Sequence, residues 1–298
     1  MSYTLLLLIL VSGSGWDRFR DWLEDTIHKI YNWTQRVEPD VGLAFIKLPT
    51  TAYEWCKYSN PAEDIDEGLY SSYTRYFMGD DCFAFKWVRK NNRSLYKVSG
   101  LGTGIADMEL RDETGRWLQA YYGVYQVVLT FGYTHVWDNT MVGIVPKLIY
   151  EKIYVSSITH WAIGIGITHR PVDRWEIGFV VDNLGPIGYY TPERYYRVRL
   201  PIVLAIDLGY KGRNFTGNLE LRKDSDTRLF YIISGKMEVT PDLKINVGIP
   251  IAHRTRVWNV GFDYNLTAKD IPITFSYMLS GWRYNLGYVS TITICLRI

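Results

Sequence analysis

Histidines are the side chains of this sequence best suited to proton transfer near neutral pH. The chain has five, and they do not cluster along it: His28, His135, His160, His169 and His253. It contains no Gly-x-Ser-x-Gly motif, and no Ser, His and acidic residues stand at a spacing typical of a catalytic triad. We therefore predict no catalytic residues and a protein that is not an enzyme.

The cysteines argue against a metal centre. Cys56, Cys82 and Cys295 form no CxxC pair, and no HxxxH spacing occurs. We expect neither a metal nor another cofactor. Two alternatives stay open for Cys56 and Cys82, a disulfide in an oxidising compartment or free thiols, because the sequence gives no distance between them.

The charged and small residues are positioned by an alternation with a period of two, which is typical of β-strands. Its clearest example covers residues 286–298, where Tyr288, Ile292 and Ile294 share one face with Leu286, Leu296 and Ile298. In other segments the large apolar face alternates with Gly, Asp and Glu. The apolar members include Trp161, Ile163, Ile165, Ile167, Trp175, Ile177, Phe179, Val181, Trp258, Val260, Phe262 and Tyr264. Small and polar residues inside with apolar residues outside indicate a transmembrane β-barrel.

Composition agrees with this interpretation. A mean hydropathy of −0.10 is too polar for a helical membrane protein, whereas 24 Tyr and 11 Trp could form aromatic girdles at two membrane interfaces. A soluble β-sandwich would have to expose Ile163, Phe179 and Phe262 or bury Glu and Asp in its core. The net charge of +2 and the absence of basic runs predict no nucleic-acid partner.

Alternation and turn residues predict about fourteen antiparallel strands between residues 69 and 297. Every second connection is short, as in 91–93, 135–139, 170–173, 212–213, 240–242 and 267–270, and we place these turns on the periplasmic side with the N terminus. The longest connection, 185–195, falls on the other side. We expect a kink or bulge at Gly100 to Gly104, where glycines interrupt the alternation. The expected fold is an all-β transmembrane barrel with a short N-terminal helix and a plug-like segment.

Three regions divide the chain. Residues 1–15 contain a short apolar run followed by small residues, which predicts a signal peptide. Residues 16–67 are predicted to contain a helix over Trp16 to Trp33 and a proline-punctuated segment, and residues 68–298 are predicted to form the barrel. We expect Phe45 to Ala62 to enter or cap the barrel as a plug. The plug residues are predicted to be Phe45, Lys47, Pro49, Asn60 and Pro61.

Charged residues of both signs fall on the predicted lumen face, and we interpret them as cross-strand ion pairs. The principal lumen residues are Lys147, Glu151, Glu176, Asp182, Asp207, Glu220 and Arg222. Inward glycines, among them Gly164 and Gly166, leave space for a plug or a ligand. The apolar inward residues that we identify are few, such as Val180, Val203 and Ile232, which favours a closed, polar lumen.

The longest connection is the strongest candidate for a surface that binds a protein partner, because Tyr and Arg are enriched at interface hot spots. Its candidate residues are Tyr189, Tyr190, Arg194 and Tyr195. An aromatic girdle or a loop packed on itself is the simpler alternative.

Several segments resemble the PorV/PorQ-like outer-membrane barrels, which are relatives of the FadL-type fatty-acid transporters. The segment Ala44-Phe45-Ile46-Lys47-Leu48-Pro49 is similar to the opening of mature members, and Asn60-Pro61-Ala62 resembles the element before their first strand. Two later segments, each at the end of a predicted strand, follow in the family's order: Tyr150-Glu151-Lys152-Ile153-Tyr154 and Asn183-Leu184-Gly185-Pro186. The resemblance covers residues 41 to 298.

The resemblance implies a bacterial outer-membrane location, contact with outer-membrane lipid, and one of two functions. The first is docking or scaffolding for a secreted or surface protein, which we favour at this stage because the predicted lumen is polar. The alternative is FadL-like transport of a hydrophobic ligand. A transporter would need an apolar pocket that is continuous with an opening in the barrel wall, whereas a docking role would need a closed lumen and an adhesive external rim.

Overall fold

The computed structural model describes residues 25, 28, 29, 32, 51, 54, 57–76, 81–111, 114–191, 197–225, 227–253, 255–283 and 287–297. The predicted signal peptide and the plug residues Phe45, Lys47 and Pro49 lie outside them. Of the predicted helix, Asp25, His28, Lys29 and Asn32 are described, and all four are helical. No helix among these described residues is long and apolar enough to cross a membrane.

Fourteen antiparallel strands close into a barrel, and β8 and β9 form a separate two-stranded ribbon. The fold class predicted from the sequence is confirmed. The strands are β1 Gly68–Arg75, β2 Asp81–Asn91, β3 Ser94–Arg111, β4 Trp117–Trp137, β5 Thr140–Ile153, β6 Ser156–Val172, β7 Trp175–Leu184, β8 Gly188–Tyr189, β9 Arg197–Val198, β10 Val203–Lys211, β11 Phe215–Asp224, β12 Phe230–Glu238, β13 Leu243–Ile251, β14 Arg256–Ala268, β15 Ile271–Trp282 and β16 Tyr288–Leu296. β1 pairs with β16, so the barrel has no free edge along this seam.

The alternation decides which face of each strand is covered. In β6, Trp161 is 54% exposed while its neighbour Ala162 is 1% exposed. In β16, Ile292 and Ile294 face outward, and Thr291 and Thr293 are buried on the inner side. Large apolar side chains therefore form the outer surface of the barrel, and small or polar ones line its interior.

The two ends of the barrel differ in their connections. At the end that we call the short-turn end, residues 92–93, 138–139, 173–174, 212–214, 239–242 and 269–270 join consecutive strands, as predicted. Asn92 and Asp138 adopt φ values of 50° and 44° in two of these turns, and Asn and Asp tolerate such values better than most residues. The opposite, long-loop end carries the longest connection, residues 185–202.

Two local predictions are wrong. The long connection, predicted to end at residue 195, continues to residue 202, because β9 leaves the barrel wall and pairs with β8 instead; Pro201, just before β10, lacks the N–H that a ladder requires. The predicted irregularity at Gly100 to Gly104 lies further along β3, where the pairing with β4 shifts between Ile105 and Met108. The Phe85 ring covers Gly100, so this glycine makes room for an aromatic neighbour within a regular strand pair.

Candidate functional site: the barrel lumen

Residues 57–63, which we call the lumen segment, run inside the barrel before the chain enters β1. The carbonyl oxygen of Pro61 accepts hydrogen bonds from Lys97 Nζ at 2.9 Å and from Thr134 Oγ1 at 2.7 Å. Asn60 donates to Thr168 Oγ1 at 3.2 Å and accepts from the Ala62 N–H at 2.8 Å. The two predicted plug residues that are described, Asn60 and Pro61, are thus held against β3, β4 and β6.

Glycines make the close approach of this segment to the wall geometrically feasible. A Cβ on Gly143 would overlap the Pro61 carbonyl, and one on Gly166 would overlap Asn60 Oδ1. Gly164 similarly leaves room for the Asp182 carboxylate. The sequence predicted space beside Gly164 and Gly166 but did not single out Gly143.

Lys57, the first residue of the lumen segment, lies among carboxylates. Lys57 Nζ is 3.4 Å from Asp207, 3.6 Å from Glu63 and 3.8 Å from Glu176. The lysine is only 8% exposed, so its charge is compensated by several acids instead of by water. Two of the predicted lumen residues, Glu176 and Asp207, are brought together here.

Tyr58 contacts three further predicted lumen residues. Its hydroxyl donates to Asp182 at 2.6 Å, its backbone N–H donates to Glu220 at 2.8 Å, and its ring lies 4.3 Å from the Arg222 guanidinium carbon. Burial and the Asp182 carboxylate raise the pKa of the Tyr58 phenol well above its usual value, so the hydroxyl stays protonated and donates. Lys147 completes this group with a 2.7 Å ion pair to Asp182.

The ion pairs differ from the predicted ladder between adjacent strands. Lys147 on β5 reaches Asp182 on β7 across β6, where Gly164 provides the room. Arg222 pairs with Asp224 on its own strand, at 2.6 Å. Asp182 and Arg222 of these pairs also contact Tyr58, so both pairs connect the barrel wall to the lumen segment.

An apolar cluster, which the sequence interpretation missed, lies inside the barrel toward the long-loop end. We call it the apolar lumen cluster. Its buried members are Cys82, Ala84, Leu101, Val128, Ile149, Ile158, Ala162, Tyr190, Val198 and Leu200. The signal was present, because Leu101, Val128 and Ile149 occupy inward positions of the same alternation. Val180, Val203 and Ile232, the apolar inward residues that were identified, are also buried.

The long connection turns into the barrel. Tyr190 is only 7% exposed and its hydroxyl donates to Glu151, the remaining predicted lumen residue, whose other oxygen accepts from Gln126. The prediction that Tyr190 faces an external partner is therefore wrong, because its ring belongs to the apolar lumen cluster. Tyr189 is 43% exposed, and Arg194 and Tyr195 lie outside the described residues.

Neither a metal site nor a disulfide involving Cys82 appears in the part of the chain that the structure describes. No group of three or more His, Cys, Asp or Glu is arranged to hold a metal ion there. Cys82 and Cys295 are buried free thiols. Cys56 is outside the described residues.

No protein-family model matches the chain, and no curated protein matches its sequence. Solved structures do match its fold. A Pseudomonas aeruginosa FadL homologue is 10% identical over 88% of this chain and 99% of its own, with a TM-score of 0.50. This chain has the fold of a FadL-type barrel. The Pseudomonas putida toluene transporter TodX is 9% identical over 80% of this chain and 93% of its own, with a TM-score of 0.52.

A TodX deltaS2S3 mutant, described as a monoaromatic hydrocarbon channel, is also 9% identical, over 87% of this chain and 99% of its own, with a TM-score of 0.52. At these identities the likeness concerns the fold. The narrower resemblance to PorV/PorQ proteins stays a prediction.

Proposed function

We propose that this protein is a bacterial outer-membrane barrel that binds hydrophobic small molecules in its lumen and passes them across the membrane. The apolar lumen cluster carries the proposal. A barrel that only filled and stiffened its interior could use polar and charged pairs throughout, whereas a hydrocarbon ligand needs an apolar surface shielded from water. No catalytic step is part of this proposal.

TodX is described as a toluene transporter, and its fold is similar to that of this chain. That similarity supports the proposed function. The outward belt of large apolar residues supports a lipid environment. The FadL-like alternative is thus favoured over the docking role, since docking was preferred only because the predicted lumen appeared polar.

In this proposal the lumen segment is the plug of the barrel. It is held by hydrogen bonds that Lys97 and Thr134 donate to Pro61 and by one that Asn60 donates to Thr168. Movement of the segment would change the cross-section of the lumen without a change in the barrel wall.

The apolar lumen cluster can be tested by an isosteric exchange on β4. Val128→Thr introduces a hydroxyl into the cluster with little change in volume, and it should weaken toluene binding about tenfold, since a buried hydroxyl without a partner costs about 1–3 kcal/mol. Binding would be measured by equilibrium dialysis of labelled toluene against the barrel in nanodiscs, with empty nanodiscs subtracted.

Thr130→Val is the matched control, because Thr130 lies two residues along the same strand and the exchange is reversed. Its hydroxyl pairs with Ser99 at 2.5 Å, outside the apolar lumen cluster. Equal toluene binding by wild type and Val128→Thr, in barrels that fold normally, would contradict the proposed site.

Docking of a secreted or surface protein is a second candidate. Its support is the exposure of Tyr189 on the β8–β9 ribbon at the long-loop end. The two roles do not exclude each other, because the apolar lumen cluster and Tyr189 lie on different surfaces.

A further inference from the structure

A row of small, uncharged, hydrogen-bonding residues crosses the inner face of β11–β15. We call it the amide row. Its members are neighbours in consecutive strand pairs: Asn218, Ser234, Gly248, Asn259 and Ser280. Asn246 lies one inward position from Gly248 on β13. Neighbouring strands are about 4.8 Å apart, so side-chain donors and acceptors recur at about that interval along the wall, except on β13, where Gly248 has no side chain and Asn246 is the nearest amide.

Several of these polar atoms are buried without a partner. Both amide atoms of Asn218, the Oδ1 of Asn246 and the Oγ of Ser280 make no hydrogen bond within the described structure. Asn246 and Ser280 are each only 1% exposed. Buried polar atoms are nearly always satisfied by protein, water or a ligand, and leaving one unsatisfied is costly. The amide row therefore offers hydrogen bonds that the described chain does not use.

The orientation of Asn246 is fixed by its neighbour. Its side chain hydrogen-bonds to the carboxylate of Asp263, which can only accept, so the amide nitrogen is the donor. The Oδ1 is left as an acceptor. Asp263 in turn is neutralised by Lys236 at 2.6 Å.

Charge and apolar contacts define the ligand class. The amide row itself carries no charge, and the nearby Lys236 and Asp263 compensate each other. The partly buried Arg256 has Trp282, two residues from Ser280, as its strand partner. It already interacts with Asp224 and Glu220. A charged ligand would therefore lose its hydration without gaining an uncompensated counter-ion. Met278 and Val289, both 1% exposed, lie beside Ser280 on β15 and β16. Hydrocarbon surface is thus adjacent to the unpartnered hydroxyl.

We propose that the amide row binds an uncharged molecule that carries both a hydrocarbon part and a hydroxyl or carbonyl group. A ligand hydroxyl donates to Asn246 Oδ1 or pairs with Ser280 Oγ, a ligand carbonyl accepts from Ser280 Oγ, and the hydrocarbon packs on Met278 and Val289. This inference rests on the proposed transport of hydrophobic molecules and narrows its ligand class. Ordered water offers the same hydrogen-bonding chemistry, so the experiment must separate water from ligand.

Toluene, benzyl alcohol and benzoate form a suitable probe set, because they share a ring and one additional carbon and differ in polarity and charge. Binding of each would be measured by equilibrium dialysis to the complete barrel in nanodiscs, with empty nanodiscs subtracted. The test variant is Asn246→Leu combined with Ser280→Ala. Loss of one neutral hydrogen bond should lower the ratio of benzyl alcohol to toluene binding up to about tenfold. Benzoate should bind more weakly than benzyl alcohol to the wild type.

Ser72→Ala is the matched control, because Ser72 is also inward and buried but its hydroxyl already pairs with Thr293 at 2.8 Å. It should leave the ratio unchanged. Ser280→Ala alone serves as a second test variant in case the double variant misfolds. The Ser280 hydroxyl has no partner to lose within the described structure. This single variant should lower the ratio severalfold.

The outcomes separate this inference from the proposed function. Suppose that toluene binds and that the ratio of benzyl alcohol to toluene binding is the same in the wild type and the variants. The amide row then holds only water. This result would overturn the inference and leave the proposed function intact. Benzyl alcohol binding that falls in the variants, without toluene binding, would support the amide row and contradict hydrocarbon transport. Absence of binding by either probe would overturn both.

Discussion

Replacing Gly166 with Ala should loosen the lumen segment, because the new methyl group would occupy the position of Asn60 Oδ1. Asn60 cannot retreat freely, since it also contacts Thr168 and the Ala62 N–H. Overpacking of this kind costs about 1–3 kcal/mol. Whether the segment leaves the wall depends on what else holds it.

Four hydrogen bonds of 3.2 Å or less join this part of the segment to the wall. Lys97 donates to the carbonyls of Pro61 and Glu63, Thr134 donates to Pro61, and Asn60 donates to Thr168. At about 1.5–3 kcal/mol for each bond from a charged donor and about 0.5–1.5 kcal/mol for each neutral one, they contribute about 4–9 kcal/mol. This exceeds the overpacking cost, so the variant should stay mostly closed.

The expected result is a shift in population. A destabilisation of about 1–3 kcal/mol raises an open population by about 5- to 150-fold, because each 1.4 kcal/mol is a factor of ten. Single-channel recording in planar bilayers should show openings that are this much more frequent, without a change in the closed state.

Gly209→Ala is the control for this experiment. Gly209 also faces the lumen, but an added Cβ would be 3.5 Å from the Cβ of Glu176, an ordinary contact. Equal opening frequencies in Gly166→Ala and Gly209→Ala barrels would refute the conclusion that the lumen segment packs on the wall because Gly166 has no side chain.

Two further predictions concern the outer surface. Ile165→Arg should impair assembly into membranes, measured by the heat-sensitive gel mobility of the folded barrel, since an Arg on the lipid face costs about 2–4 kcal/mol near the midplane; the inward Glu176→Ser should be milder, and equal defects would contradict the face assignment. Tyr189→Ser should abolish co-purification of a docked protein if that role exists, while toluene binding persists; unchanged recovery of a partner would argue against docking through this tyrosine.

The site where the lumen segment packs on the barrel wall was only partly predictable. Asn60 and Pro61 stood out because a proline-punctuated stretch precedes the first strand, and Gly166 stood out as an inward glycine. Their contact was not predictable, because residues about a hundred positions apart meet only after the barrel closes. Gly143, like Gly166, leaves room for the lumen segment. Nothing in the sequence around Gly143 marked it as an inward glycine of this kind.

The direction of the long connection was also beyond sequence reasoning. Tyr189 and Tyr190 are adjacent and chemically identical, but one is exposed and the other lies in the apolar lumen cluster. Alternation places neighbouring side chains on opposite faces. It does not state which face turns toward the lumen once a segment has left the barrel wall.

The sequence by itself determined the strands, their faces and the short turns, because these depend on a local period of two and on the turn chemistry of residues such as Asn92 and Asp138. Only the tertiary structure decided which inward residues meet. Lys147 reaches Asp182 across β6, and the Pro61 carbonyl meets Lys97, because closure of the barrel brings distant strands around one shared interior. Pairing inside that interior is set by side-chain reach and by the space that glycines leave, neither of which is a property of a single strand.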